Sequence, residues 1–181
     1  MGRRFRLEKI NEIPLRTLFF DTNVLMYIFF PELSVFPWSR GYSSFLKQVM
    51  TRQFKLALDI TVLSEIINTI MRIDYSQFKE SGSAPDNFSF KNYRASSQGK
   101  QNLSHIHSVI LRQILPFFEV LDIQFSKSDI HKLLVTDSID FNDKIIASLC
   151  RKHDCILVTN DRDFNSVDID IVSSNPKLMQ T

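Results

Sequence analysis

The chain has 181 residues, 44% of them hydrophobic and 23% charged, with a formal net charge of only +2. That size fits one domain with a substantial core, and the near-neutral balance gives no overall field to draw the protein onto nucleic acid. Sixteen Phe against four Gly favour packed helices and strands over a loop-rich scaffold, and two cysteines are too few for a disulfide framework.

The start is locally basic, with Arg3, Arg4, Arg6, Lys9 and Arg16 diluted by Glu8 and Glu12. Residues 1–16 read as a basic N-terminal extension, either a solvated tail or a strip that touches a phosphate backbone. The start carries no apolar signal core, and the longest apolar runs are far too short to span a bilayer. No membrane is therefore expected, and a reducing, cytoplasmic setting is the default. Cys150 and Cys155 read as small buried hydrophobes.

Thr17 to Asp21 is an apolar run ending in an acid, the pattern of a buried strand that gives way to a helix. A short helix over Val24 to Phe30 is halted by Pro31. Pro37-Trp38 falls in a connection, and Tyr42 to Gln53 reads as a helix with Phe45, Leu46 and Val49 inward. Phe54 to Ile60 is a second strand. Thr61 then reads as the N-cap of a helix over Val62 to Arg72, whose apolar arc is Val62, Leu63, Ile66, Ile67, Ile70 and Met71. Glu65 lies in the first turn, where negative charge suits the helix dipole.

From Ser76 to Gly99 the composition turns to Ser, Gly, Asn, Asp and Lys, with Phe88, Phe90 and Tyr93 interleaved with Lys91 and Arg94. Residues 76–99 read as a surface insertion containing some helix. Its aromatics either stack on unpaired bases or simply pack. A helix over Leu103 to Leu115 ends before Pro116, and Phe117 to Ile123 is a third strand. Ser126 or Ser128 caps a short helix ending at Val135, and Phe141 to Lys152 forms another. Cys155 to Thr159 and Ile169 to Val172 supply two more strands. This alternation predicts a single α/β domain with a mostly parallel sheet of about five strands.

In such sheets the site lies off the carboxyl ends of the strands. Asp21 follows the first strand and Asp161 follows the fourth, while Glu65 and Asp143 sit early in helices that start from the same edge. Each has a plain structural reading: Asp21 a helix cap, Glu65 a first-turn charge, Asp143 a solvated helix residue, Asp161 an Asx-type turn. Together, at equivalent places, they repel one another and call for a hard divalent cation. Mg²⁺ or Mn²⁺ held by carboxylates can activate water and stabilise charge on an attacked phosphate. His105, His107, His131 and His153 share no spacing with the acids and read as surface or satisfied core residues.

Phe20-Asp21-Thr22-Asn23-Val24-Leu25 resembles the opening of a PIN domain, as in VapC-type toxins. Ser64-Glu65 resembles that family's second acid, and Phe141-Asn142-Asp143-Lys144-Ile145-Ile146-Ala147 its third. Leu157 to Phe164, Leu-Val-Thr-Asn-Asp-Arg-Asp-Phe, is similar to its closing motif. The resemblance implies a Rossmann-like, three-layer α/β/α fold and a Mg²⁺- or Mn²⁺-dependent ribonuclease, including toxin-type nucleases. It makes Asp21 and Asp143 the leading metal ligands and gives Glu65 a metal-bound water or a second ion. Asp161 completes the catalytic set. Asn23, Thr159, Asn160 and Asp163 would support these carboxylates by hydrogen bonds or as spare acids, and Asp140 stands close to Asp143. RNA is the implied substrate, an antitoxin protein and a homodimer the implied partners. The apolar residues around Phe29-Phe30 and Phe36-Trp38 are either that dimer's patch or core. The alternative is a non-catalytic RNA- or protein-binding module of the same fold.

Overall fold

The computed structural model describes residues 2–33, 39–82, 85 and 87–179. Its strands are β1 (Arg4–Arg6), β2 (Leu18–Phe20), β3 (Leu56–Leu58), β4 (Glu119–Val120), β5 (Ile156–Val158) and β6 (Ile171–Ser173). All pair in parallel, in the order β1-β6-β5-β2-β3-β4. The helices are α1 (Thr22–Phe29), α2 (Ser39–Thr51), α3 (Ile60–Glu80), α4 (Phe90–Ala95), α5 (Ser97–Val109), α6 (Lys127–Leu133) and α7 (Phe141–Lys152). Among the described residues no helix is long and apolar enough to cross a membrane.

Every residue of β2, β3, β5 and β6 is buried. Successive side chains on a strand point to opposite faces, so the helices cover the sheet on both sides, as a parallel sheet requires. That is why these strands read as continuous apolar runs. The expected α/β architecture with a parallel sheet is present, with a sixth strand added at one edge.

The added strand comes from the basic start of the chain. Residues 1–16 read from the sequence as a basic extension, either a solvated tail or a strip for a phosphate backbone, but Arg4–Arg6 pairs with Ile171–Ser173, and Phe5, Leu7, Ile10 and Ile13 join the core. The cations there are largely satisfied within the fold. Arg3 pairs with Asp170 at 2.8 Å, and Arg16 bridges Asp170 at 2.6 Å and Asp154 at 2.7 Å. Arg4 donates to the carbonyls of Ile169 and Val167.

The expected insertion at 76–99 is also absorbed. Helix α3 continues through Glu80, because Tyr75 and Phe78 extend its apolar face at helical spacing. Their rings meet those of α4 and of the residue just before its cap: Tyr93 lies 5.6 Å from Tyr75 and 5.4 Å from Phe78, and Phe88 lies 5.7 Å from Phe78. Tyr93 is fully buried and its hydroxyl accepts from Asn102 at 2.7 Å. These aromatics therefore pack against α3; they do not form a free stacking platform. Helix α5 starts six residues before the expected Leu103, capped by Ser96. Gly99 at its start lets the turn close against the Tyr93 carbonyl, since a Cβ there would lie 2.0 Å from that oxygen.

Two caps differ from expectation in detail. Asp59, not Thr61, caps α3: its carboxylate accepts from the Val62 amide, and the Thr61 hydroxyl donates to the same carboxylate at 2.8 Å. Ser126 caps α6 in a reciprocal box with Asp129. Phe30 is buried, and Phe29 packs edge-on to Phe118, so both belong to the core; Phe36-Trp38 and Pro37 lie outside the described residues. Cys150 and Cys155 are buried thiols. His105, His107 and His131 are exposed, and His153 meets the Asp122 carbonyl.

Candidate active site

Strands β2 and β5 are neighbours at the middle of the sheet, with β3 and β4 on one side and β6 and β1 on the other. The strand order reverses between them, and the crevice beyond their carboxyl ends is where such sheets bind ligands. Asp21 and Thr159 are the residues that leave these two strands. The Asp21 amide donates to the Val158 carbonyl at 3.1 Å, which holds the two strand ends in step.

The Asp21 carboxylate is buried and surrounded by donors. Oδ1 accepts from the Thr22 amide at 2.7 Å, while Oδ2 accepts from Asn23 Nδ2 and from the Thr159 hydroxyl, both at 2.6 Å. Asn23 also accepts from the Asn160 amide at 3.1 Å, and Thr159 Oγ1 accepts from the Asp161 amide at 2.9 Å. Thus Asp21 caps α1 and is at the same time the centre of a network that sets the course of the chain into Asp161. Asp161 in turn caps the short helical turn Arg162–Ser166 by accepting from the Asp163 amide. Glu65, one turn into α3, accepts from the Thr22 hydroxyl at 3.1 Å. Asp143 lies in the first turn of α7, and Asp140 caps that helix.

All four predicted acids line one cleft of about 340 Å³, and Asp140 and Asp163 line it with them. Thr22, Asn23, Thr69 and Asn142 add polar atoms to the wall, and among the described residues no Lys or Arg lines it. Burial pushes the Asp21 carboxyl up to about 6 despite its donors, with Glu65 and Asp161 adding repulsion. Burial also pushes Asp143 up to about 7, helped by repulsion from Asp21, Asp161, Asp140 and Asp163. Clustered acids that hold protons this tightly are stabilised by an added positive charge. Among the described residues, no three acidic, histidine or cysteine side chains stand together as a ready ligand group. The donor chemistry, carboxylates and amide or hydroxyl oxygens only, nonetheless suits a hard divalent cation.

Several contributors had no signal in the sequence. Tyr42 of α2 is fully buried, and its hydroxyl bridges the Thr159 carbonyl at 3.0 Å, the Asn160 side chain at 3.1 Å and the Ser174 amide at 3.1 Å. Asn175 adds a bond from its side chain to the Asn160 carbonyl at 2.7 Å. Thr22 could have been noticed, because it stands directly between Asp21 and Asn23.

The family model of the PIN domain matches residues 18–170, which takes in all four acids. The chain belongs to the PIN-domain family. PIN domains are generally nucleases. Among solved structures, this PIN domain is similar to FitAcB from Neisseria gonorrhoeae, with a TM-score of 0.52, 17% identity, and coverage of 86% of this chain and 96% of that one. VapBC2 from Rickettsia felis, solved bound to a DNA fragment from its promoter, aligns with a TM-score of 0.49 and 17% identity over 87% of this chain and 98% of that one. At this identity the likeness is one of fold. No curated protein matches the chain.

Proposed function

We propose that the protein is a Mg²⁺- or Mn²⁺-dependent endoribonuclease that hydrolyses RNA phosphodiester bonds in the acidic cleft. The observation that carries this reading is the lining of that cleft: among the described residues it has six carboxylates and no cationic side chain, and two of the acids are pushed up to about 6 and about 7. A protein has little structural reason to gather such groups, since each raises the cost of ionising the others. Asp21 and Asp143 would hold the ion, Glu65 would orient a water or support a second ion, and Asp161 would complete the acidic set. A bound divalent ion lowers the pKa of water and stabilises charge on an attacked phosphate. The chain's own part is positioning. Thr22, Asn23 and Thr159 fix both oxygens of Asp21, and the Thr22 hydroxyl fixes Glu65, so the carboxylates are oriented before substrate arrives.

A toxin-type setting with an antitoxin partner is the biological context we propose, on the likeness of the four acidic motifs to VapC-type toxins. The experiment for the activity is incubation of an end-labelled RNA panel with the protein in Mn²⁺ and in excess chelator. Cutting in Mn²⁺ that chelator abolishes supports the reading. Intact RNA throughout the panel in Mn²⁺ would leave the protein a binding module.

A further inference from the structure

Without its ion, an acidic cleft repels the very polyanion it is proposed to cut, and among the described residues no Lys or Arg lines it. Apart from the ion, attraction for a nucleic-acid backbone has to come from side chains outside the cleft. Among the described residues, six of the chain's 22 Lys and Arg side chains form ion pairs: Arg3 and Arg16 with Asp170, Lys9 with Glu12, Lys132 with Asp129, Lys144 with Asp137 and Arg162 with Asp163. Arg40 and Lys47 of α2 form no ion pair among the described residues, and both are exposed.

These two cations border a groove of about 500 Å³ between α1 and α2, together with Tyr27, Ile28, Ser43 and Ser44. They are seven residues apart, so they stand on one face of the helix, about 10 Å apart along its axis, with the two serines between them. The groove adjoins the cleft through α1, because Met26 lines the cleft and Tyr27 lines the groove. The Tyr27 hydroxyl meets the side chain of Asn160 and feels the charges of Asp21 and Asp161, which places the ring at the boundary between the two. The groove offers two cations and two hydroxyls, the donor set that phosphate oxygens accept from, and a tyrosine at its inner end that can face a base.

We propose that this groove is a binding track for the backbone of single-stranded RNA. Phosphates beside the scissile bond lie along Arg40, Ser43, Ser44 and Lys47, and the strand passes Tyr27 to enter the acidic cleft. The inference rests on the proposed ribonuclease activity, and it adds the residues that hold substrate without touching the reacting phosphate.

The test measures binding of a fluorescent single-stranded RNA to the wild type and to the double variant Arg40→Gln/Lys47→Gln, in chelator so that nothing is cut. Both substitutions are at exposed positions, and thermal melts verify folding. A control double variant, Lys91→Gln/Lys100→Gln, removes the same charge from exposed positions on α4 and α5. The groove variant is expected to bind about tenfold more weakly at 0.1 M salt, with its log–log salt dependence shallower by about 1.4, the value for two lost single-strand phosphate contacts. The control is expected to match the wild type. Equal affinity and slope for the groove variant, an equal loss in the control, or no RNA binding by the wild type would each overturn the track. So would equally tight and equally Arg40/Lys47-dependent binding of a labelled polyglutamate, which would make the groove a site for acidic protein. The Mn²⁺ cutting assay is read separately: RNA held through Arg40 and Lys47 but never cut would sink the nuclease reading and leave the groove standing.

Discussion

The Thr159 hydroxyl donates to Asp21 Oδ2 across the junction of β2 and β5, at 2.6 Å. One bond thus joins the two central strand ends and orients the most buried acid of the cleft. Replacing Thr159 by Val keeps the shape and removes the donor. Losing such a supporting bond is expected to weaken divalent binding by about 10- to 100-fold. Mn²⁺ titration of Thr159→Val against wild type checks it; an unchanged affinity would mean that Asp21 is not an ion ligand.

The metal-free protein should become less stable as pH rises from acid to neutral. Asp21 is raised to about 6 and Asp143 to about 7 from an ordinary 3.8, so the folded state binds more protons than the unfolded chain between those values. Stability from this source is fully present below 3.8 and is lost as pH climbs through the two folded values. Asp129, Asp137 and Asp170 are shifted the other way, and their contribution is lost only as pH falls below the ordinary carboxylate range. Melting in chelator from pH 5 to pH 8 should show a declining midpoint, and Asp143→Asn should flatten the decline. A midpoint that rises equally in both proteins would contradict the electrostatics described.

Divalent ions should reverse that loss. An ion at a hundredfold excess over its Kd stabilises by about 2.7 kcal/mol, several degrees for a chain of this size. Millimolar Mn²⁺ is expected to raise the midpoint at pH 8, and Asp21→Asn should abolish the rise. No shift in the wild type would count against a site for the ion.

Tyr42 should be a residue of stability first. Tyr42→Phe leaves the Ser174 amide and the Thr159 carbonyl without their shared partner, at a cost of about 1–3 kcal/mol for buried groups left unpaired. Urea unfolding should give a lower midpoint at unchanged slope. In the same way Tyr93→Ala should cost about 3–5 kcal/mol by opening a cavity between α3 and α4. RNA affinity should survive that change, since Tyr93 packs inward; a selective loss of RNA binding in a stable Tyr93→Ala protein would restore the stacking role for residues 76–99.

What could be read from the sequence depended on how local each signal was. The central strands announced themselves because burial on both faces makes Leu18–Phe20, Leu56–Leu58 and Ile156–Val158 uninterrupted apolar runs. The acids were visible because Asp21 and Asp161 stand directly beyond those runs. Strand β1 was not visible: Arg-Phe-Arg has one apolar residue, and it becomes a strand only because β6 offers an edge to pair with. The continuation of α3 was hidden by Ser76 and Gln77, although Tyr75 and Phe78 keep the helical spacing. Tyr42 gave no sign at all, since its partners Thr159 and Ser174 lie more than a hundred residues away.

The most direct test of the account is the rate of RNA cutting in Mn²⁺ by Asp143→Asn compared with wild type. Asp143 is half-buried, faces four other acids and carries no structural cap, so its neutral isostere should fold at least as well as the parent. Cutting is expected to fall by at least about a hundredfold, as loss of a ligand to a catalytic ion removes the activated water, while the protein melts at the same or a higher temperature. Equal cutting by the two proteins would contradict it.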